Sequence, residues 1–221
     1  MEEIIFTNGA KAIPTELQDC YIIEPKYFGD ERGYFVADFI LEDMQKLGFD
    51  QVYQHNTSKS AKGVVRGMHF QLDPYAQTKI VSVISGAAVD VVIDIRVGSP
   101  TYGQATSVLL TPYDPNIPGS GRQLYVPRGF AHGFVSLKDN TLFQYYVDNK
   151  YAPQYEEGIS WNGEETTELF KKAFDEYKIS NAEITISAKD QARLSLKYEP
   201  KYFTYQKNSK ASDNYSFEAG V

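Results

Sequence analysis

The stretch VDVVIDIR, residues 89–96, indicates how this chain folds. Its odd positions are all apolar, whereas its even positions include Asp90, Asp94 and Arg96. A period of two is typical of a β-strand, in which successive side chains point to opposite faces of a sheet. The three charged residues therefore share one face. For a single strand we expect that face to meet solvent, and the lining of a polar pocket inside a barrel is the alternative.

Similar short segments fill the chain from Cys20 to about Asp148. They are rich in Val, Ile, Tyr and Phe, and Gly, Pro, Asp and Asn separate them. The predicted strands are Cys20–Glu24, Tyr34–Phe39, Gln51–Gln54, Val64–Gln71, Lys79–Ile84, Ala88–Arg96, Gln104–Leu110, Gln123–Val126, His132–Leu137 and Thr141–Asp148, with a short helix at Leu41–Leu47. So many closely spaced strands favour a sandwich or barrel over an alternating βαβ plan. We predict a mainly β fold.

The last third of the chain carries a helical pattern and then a polar tail. Asn162 is predicted to cap a helix over about Glu164–Tyr177. The apolar stripe of this helix consists of Leu169, Phe170, Ala173 and Phe174. A chain of 221 residues suits a single domain, here residues 1–198 with the helix as an insertion. Residues 199–221 are polar and Tyr-rich, and we expect partial order at best unless a partner subunit holds them.

Composition excludes several classes of partner. A net charge of −7 argues against nucleic acid and anionic membrane. No apolar run approaches the roughly 20 residues of a membrane helix, and the N-terminus lacks the apolar region of a signal peptide. Cys20 is the only cysteine and lies in an apolar run, which predicts a buried core residue rather than a reactive thiol. We therefore expect a cytoplasmic protein.

Three histidines are candidates for chemistry: His55, His69 and His132. Two of them lie in the short segments RGMHFQ (66–71) and PRGFAHGF (127–134). A lone strand histidine is usually structural, but two such segments suggest either a metal site or acid–base catalysis. Metal sites in barrels of this kind use clustered histidines, often as a His-x-His pair, with a carboxylate. Because Gln71 occupies the place of the second histidine, we expect no metal and no other cofactor.

These segments resemble those of the dTDP-4-dehydrorhamnose 3,5-epimerase family, which belongs to the cupin superfamily. The matching runs are FGDERGYF (28–35), QHNTS (54–58), KGVVRGMHFQ (62–71), QTKIV (77–81), DIRVGSPTYG (94–103), PRGFAHGF (127–134) and SAKD (187–190). They follow one another in order between Pro14 and Leu196. The resemblance implies a cupin-type β-barrel or jelly roll with short peripheral helices. It also implies epimerisation at C3 and C5 of a nucleotide-linked 4-keto-6-deoxy sugar, as in conversion of dTDP-4-dehydro-6-deoxyglucose to dTDP-4-dehydrorhamnose for deoxysugar biosynthesis.

The resemblance also implies roles for particular residues. Proton removal beside a ketone needs a base, a partner for the enolate oxygen and an acid across the ring. The implied catalytic residues are His69 as the base, Asp190 as its orienting carboxylate, Lys79 as the cation for the enolate oxygen and Tyr145 as the acid. The implied substrate-binding residues are Arg66, Gln54, Asn56, His132, Arg32 and Phe28.

Strand geometry predicts on which face of a sheet some of these side chains lie. Strict alternation places Arg66 and His69 on opposite faces, unless Gly67 between them allows a bulge. Tyr146, next to the implied acid Tyr145, should point to the other face of the sheet.

The sequence departs from the family pattern where the nucleotide is held. Ala37 stands in place of a glutamate, Lys150 replaces the first tyrosine of a pair, and Gly163 replaces an aspartate. Thymidine is nevertheless the expected nucleotide. The family forms dimers in which an N-terminal strand reaches the partner's site, so we expect a homodimer, with Arg32 and Phe28 on that strand. The alternatives are an epimerase of one carbon, a ketoisomerase on the same barrel, a cupin that binds nucleotide sugars without catalysis, and a metal-dependent cupin.

Overall fold

The computed structural model of the protein describes residues 1–198 and 201–206. In chain order its strands are β1 (Ile4–Ile5), β2 (Lys11–Pro14), β3 (Tyr21–Glu24), β4 (Tyr27–Asp30), β5 (Gly33–Val36), β6 (Gln54–Ser60), β7 (Val64–Gln71), β8 (Lys79–Ser85), β9 (Ala88–Asp94), β10 (Arg96–Val97), β11 (Ala105–Leu110), β12 (Gln123–Val126), β13 (Phe130–Ser136), β14 (Thr141–Val147), β15 (Glu156–Gly158), β16 (Thr185–Ile186) and β17 (Phe203–Thr204). The α-helices are α1 (Leu41–Gln45), α2 (Thr167–Glu176) and α3 (Ala188–Gln191). The predicted mainly β architecture is confirmed.

Two sheets form the body of the fold. The first has the order β1-β2-β3-β12-β8-β14-β6, and the second has the order β11-β9-β13-β7-β15, with β16 added beside β7. Apolar side chains from both sheets, among them Val81, Val92, Leu124 and Phe143, pack between them as one core. A polar cavity lies in the same interior, beside β7, β8 and β14.

The expectation that the charged face of residues 89–96 meets solvent was wrong, and the position of β9 explains why. β9 lies between β11 and β13, and Asp90 and Asp94 are completely buried. The odd positions pack outward, where α2 and neighbouring segments cover them. The even positions therefore face the interior, as the alternative interpretation had it, and Val92 joins the core there. Both faces of the sheet are covered, so no face of this strand meets solvent.

Most predicted strand boundaries lie within one to three residues of those observed, and β6 is the exception. The expected strand Gln51–Gln54 is wrong, because the strand begins at Gln54 and ends at Ser60. Its sequence QHNTSKS lacks the residues that favour strands. Pairing with β14 along all seven residues overrides that weak local preference.

Helix α2 covers the outside of the second sheet. Phe170, Ala173 and Phe174 are buried, which confirms the predicted apolar stripe, and Trp161 packs edge-on against Phe170. The predicted cap Asn162 is wrong. Thr166 occupies the N-cap position, whereas Asn162 accepts a hydrogen bond from the Ser160 hydroxyl. The helix is therefore held by packing rather than by a side-chain cap.

Part of the expected tail is an ordered strand of this chain. β17 pairs in parallel with β10, and the Tyr205 amide donates a 2.8 Å hydrogen bond to the Val97 carbonyl. The Arg96 guanidinium lies between the rings of Phe130 and Tyr205, 4.8 and 4.9 Å from their centroids. Residues 201–206 are thus held by contacts within this chain. The rest of the predicted tail lies outside the described residues.

Cys20 is a core residue, as predicted. Its side chain is completely buried, and Sγ lies 3.3 Å from the Tyr125 carbonyl oxygen. Burial raises the pKa of this thiol to about 12, although a hydrogen bond from Thr15 opposes the rise. A thiol that stays protonated is a poor nucleophile.

Arg96 should be important for stability. It donates to both carboxylate oxygens of the buried Asp94 and also to Asp19. We expect Arg96→Ala to lower the free energy of unfolding by about 3 kcal/mol or more, because Asp94 is left buried without its cation. Urea denaturation checks this. Lys171→Ala, which removes only an exposed ion pair with Glu168, serves as the control and should leave the midpoint unchanged.

Candidate active site

A bulge in β7 determines which side chains face the interior. His132 pairs with His69, but Phe134 pairs with Arg66, so two residues of β7 lie opposite the single residue Gly133. The extra residue reverses the alternation, and Arg66 and His69 line the same cavity. Gly67 has φ 109°, and a Cβ there would lie 2.6 Å from the His132 carbonyl oxygen. The bulge allowed for in the sequence is present, and it requires glycine.

The cavity has two adjoining parts. The larger has a volume of about 650 Å³ and the smaller about 210 Å³. Both parts are lined by His69, Lys79, Tyr145, Tyr151 and Glu156. Arg66, His132 and Asp190 line the larger part, and Gln54, Asn56 and Gln77 line the smaller. The fold therefore brings together eight of the ten site residues predicted from the sequence.

His69 and Asp190 form a hydrogen-bonded pair. His69 Nε2 lies 2.6 Å from Asp190 Oδ1, and the imidazole is partly exposed to the cavity while the carboxylate is almost fully buried. Burial would raise the pKa of Asp190, but the hydrogen bond and charge of His69 and the Gly67 amide lower it overall. The carboxylate thus stays ionised at neutral pH, and only one of the two imidazole nitrogens is bonded to it.

Three contacts fix Asp190 beside β7. Strand β16 pairs in parallel with the start of β7 and leads directly into α3, which carries Asp190. The Ser187 hydroxyl accepts a 3.1 Å hydrogen bond from the Asp190 amide and so caps α3. The Gly67 amide donates to Asp190 Oδ2 at 3.4 Å. The bulge therefore orients both members of the pair.

Tyr145 and Tyr146 diverge as strand geometry predicts. Tyr145 faces the cavity from the first sheet, whereas His69 faces it from the second. Burial raises the pKa of Tyr145, and so does Glu156, while Arg66 opposes the rise. The phenol keeps its proton at neutral pH. Tyr146 lies on the other face, stacked on His55 with ring centroids 4.3 Å apart.

Lys79, Asp90 and His132 form a group of ionisable side chains inside the barrel. His132 Nε2 lies 2.7 Å from Asp90 Oδ2, and both residues are buried. Burial lowers the pKa of His132 despite Asp90, and it raises the pKa of Asp90 despite His132 and Lys79. Burial also lowers the pKa of Lys79 to about 8, against the attraction of Asp90 and Glu156. At neutral pH Lys79 is the cation of this group.

Arg66, Gln54 and Asn56 supply polar groups at the cavity wall. The Arg66 guanidinium donates to the Ser60 hydroxyl at 3.2 Å and remains largely exposed. Gln54 Nε2 donates to Asn56 Oδ1 at 2.6 Å, which confirms that these two side chains share a face of β6. They form the amide-lined end of the smaller part.

Sequence reasoning missed a second set of polar residues at the cavity. The Tyr151 hydroxyl donates a 2.7 Å hydrogen bond to Glu156, and the Lys189 ammonium pairs with the same carboxylate. Lys189 lies within the SAKD run and Tyr151 belongs to the altered tyrosine pair, but no function was predicted for either residue. No sequence motif indicated Glu156, because only its pairing with Gln71 across β15 and β7 places it at the cavity. Asp90 was missed because its face was assigned to solvent.

Gln71, expected to replace a metal ligand, holds the backbone instead. Its side-chain nitrogen donates to the carbonyls of Tyr75 and Lys150, and its oxygen accepts from the Ala152 amide. It thereby fixes the segment that carries Tyr151. No group of three or more His, Cys, Asp or Glu residues is placed to bind a metal ion within residues 1–198 and 201–206.

Arg32 and Phe28 are not brought to this cavity. They lie on the hairpin β4–β5, where Phe28 is 53% exposed and Arg32 pairs with Asp30 at the surface. Among the helices of the described chain, none is long and apolar enough to cross a membrane.

The fold and the site define a two-sheet β-barrel enzyme whose histidine–aspartate pair and facing phenol suit proton transfer at carbon. A family model described as dTDP-4-dehydrorhamnose 3,5-epimerase matches residues 14–198. The chain belongs to this family. The family and the enzyme class expected from the sequence motifs are therefore confirmed.

Individual relatives support this family assignment. The chain is 45% identical over 155 residues to dTDP-4-dehydrorhamnose 3,5-epimerase from Shigella flexneri, covering 68% of this chain and 81% of that one. It is 36% identical to the dTDP-6-deoxy-D-glucose-3,5-epimerase from Legionella pneumophila, solved in complex with dTDP-4-keto-L-rhamnose, with a TM-score of 0.74 over 90% of this chain and 100% of that one. It is 26% identical to ChmJ, a 3′-monoepimerase from Streptomyces bikiniensis in complex with dTDP-quinovose, with a TM-score of 0.66 over 83% and 87%.

The group around Lys79 yields a test of the site's electrostatics. Because the Asp90 carboxylate raises the pKa of Lys79, we expect Asp90→Asn to move that pKa below its value of about 8. NMR titration of the lysine side chains measures the shift. Asp139→Asn, an exposed change, is the control, and an unaltered Lys79 titration in Asp90→Asn would contradict the assignment.

Proposed function

We propose that this protein inverts C3 and C5 of dTDP-4-dehydro-6-deoxyglucose to give dTDP-4-dehydrorhamnose, for deoxysugar biosynthesis. The observation that carries the proposal is His69, on one sheet and paired with Asp190 of α3, in the same cavity as Tyr145 on the other sheet and Lys79. Inversion at carbon requires a proton to leave one face and another to arrive at the opposite face. Groups on two opposed sheets meet that requirement.

His69 acts as the base. The imidazole nitrogen that is not bonded to Asp190 takes the proton from carbon, and the electrons of the C–H bond pass into the adjacent C4 ketone to form an enolate. Asp190 holds the ring orientation and stabilises the imidazolium. Its lowered pKa keeps it anionic for this purpose. General base catalysis of this kind contributes about 10²–10⁴-fold.

Lys79 stabilises the enolate oxygen. Its ammonium lies in a largely buried setting, where a charge interacts with the developing oxyanion more strongly than it would in water. A pKa of about 8 leaves Lys79 mainly protonated at neutral pH. Tyr145 then delivers a proton to carbon from the other face as the enolate returns to the ketone, and proton exchange with solvent restores the neutral imidazole and the phenol before the next inversion. No metal and no other cofactor is part of the proposed reaction.

The nucleotide and diphosphate are held by the remaining polar groups. Arg66 offers paired donors for phosphate oxygens, and Gln54 and Asn56 offer amides. His132, bound to Asp90 through Nε2, can use only its other ring nitrogen toward the substrate. Thymidine is the proposed nucleoside, as in the dTDP-sugar ligands of the solved relatives from Legionella pneumophila and Streptomyces bikiniensis.

A homodimer completes the proposed site. The hairpin β4–β5 exposes Phe28 and Phe35, a directly paired couple, with Arg32 at the turn. An exposed aromatic pair beside a cation suits contact with a nucleotide bound to another chain. We propose that Phe28 and Arg32 reach the nucleotide sugar of a second copy.

We also propose that residues 1–198 form one epimerase domain. A cytoplasmic location suits the protein, because the single buried thiol of Cys20 needs no oxidising compartment.

Inversion at one carbon is the second candidate, because ChmJ is a 3′-monoepimerase with the same fold. Incubation with dTDP-4-keto-6-deoxyglucose in deuterated water, followed by NMR of the sugar, distinguishes the two. We expect deuterium at both C3 and C5. Label at one carbon alone would contradict inversion at both carbons, and absence of label at both carbons would contradict the proposed function.

Site variants test the roles of the base and the acid. We expect His69→Ala and Tyr145→Phe each to lower kcat by about 10²–10⁴-fold, because each removes one proton-transfer group. The matched control is Tyr146→Phe, one residue along on the other face of β14, which should keep full activity. Circular dichroism checks that the fold is kept. Equal effects of the two tyrosine substitutions would argue against Tyr145 as the acid.

A further inference from the structure

The hairpin β4–β5 is a two-stranded sheet with its own hydrogen-bond ladder and, among the described residues, no strand neighbour. Isolated hairpins of two strands are marginally stable in water. One face carries the exposed pair Phe28 and Phe35. The opposite face carries Tyr27 and Tyr34, so whatever holds the hairpin in place must contact that face.

The contact comes from the loop between β11 and β12. The Tyr113 ring stacks on the Tyr27 ring with centroids 3.7 Å apart and planes 3° apart, and it meets Tyr34 edge-on at 5.0 Å. The Tyr27 hydroxyl donates a 3.0 Å hydrogen bond to the Gly121 carbonyl. We call Tyr27, Tyr34 and Tyr113 the tyrosine brace. It attaches the inner face of the hairpin to the body of the barrel.

The loop that carries Tyr113 is itself fixed. The Gly121 amide donates to the Thr111 carbonyl at 3.0 Å and closes the base of the loop. Asp114 and Ser120 exchange two hydrogen bonds across it. Gly121 has φ +72°, and a Cβ there would lie 2.5 Å from the Tyr27 hydroxyl oxygen. The close approach of hairpin and loop therefore depends on glycine at this position.

We infer that Tyr113 is a positioning residue that acts on the active site of a second copy. By stacking on Tyr27 it fixes the hairpin in the orientation in which Phe28 and Arg32 reach the partner's nucleotide. This inference rests on the proposed function and its dimer. Tyr113 does not line the cavity of its own chain, so we expect its effect to fall on binding rather than on proton transfer.

Kinetics of Tyr113→Ala test the inference. We expect KM for the nucleotide sugar to rise about threefold to tenfold, the size expected for loss of one ring stack, with kcat within about twofold of wild type. Tyr113→Phe keeps the ring and should restore the wild-type KM. Ile117→Ala, at the exposed tip of the same loop, is the matched control and should resemble wild type. A lower melting temperature with an unchanged KM would overturn the inference.

A mixing experiment tests action between subunits. Tyr113→Ala has an intact His69, and His69→Ala has an intact brace, so one site of the mixed dimer combines a working base with a well-held hairpin. We expect mixing to restore a wild-type KM at that site. If the high KM persists although exchange of subunits is verified by native mass spectrometry, the brace does not act in trans and the inference fails.

Calorimetric binding of dTDP separates this inference from the proposed function. An active wild type whose affinity for dTDP is unchanged by Tyr113→Ala would overturn the brace alone. An inactive wild type that binds dTDP, and binds it several-fold more weakly after Tyr113→Ala, would overturn the epimerase assignment and support the brace. Absence of both activity and binding would overturn both.

Discussion

The extra residue in β7 at Gly67 is the constraint on which the cavity depends. A regular strand would send Arg66 and His69 to opposite faces, and one of them would leave the site. The bulge keeps both inside, and its Gly67 amide also binds Asp190. The same few backbone atoms thus place Arg66, His69 and the carboxylate that is hydrogen-bonded to His69. The close approach of His132 explains why this position takes no side chain.

The interior of the barrel combines an apolar core with ionisable groups that have lost most of their hydration. Asp90, His132 and Lys79 lie together beside apolar residues such as Val92 and Phe143. Burial opposes the charged form of each of these groups, and it lowers the pKa of Lys79 to about 8. An ammonium that is buried and still protonated at neutral pH is a strong partner for an oxyanion.

Local sequence predicts some of these features and misses others for physical reasons. The period of two in β9 predicts the strand but not the environment of its faces, because α2 and other distant segments decide which face is covered. The polar sequence of β6 hides a strand that exists through pairing with β14. Motif resemblance places His69, Lys79, Tyr145 and Asp190 in one site, whereas strand pairing between distant segments adds Glu156. Tyr113 carries no motif, and only the ring stack shows its relation to the hairpin.

The His69–Asp190 pair joins residues 121 positions apart in the chain, and Asp190 arrives on the short segment β16–α3. Both sheets and the connection through α2 precede that segment in order of synthesis. A chain emerging from the ribosome therefore carries His69, Lys79 and Tyr145 long before Asp190 can dock beside β7. The contact between His69 and Asp190 therefore forms only when folding reaches the C-terminal part of the chain.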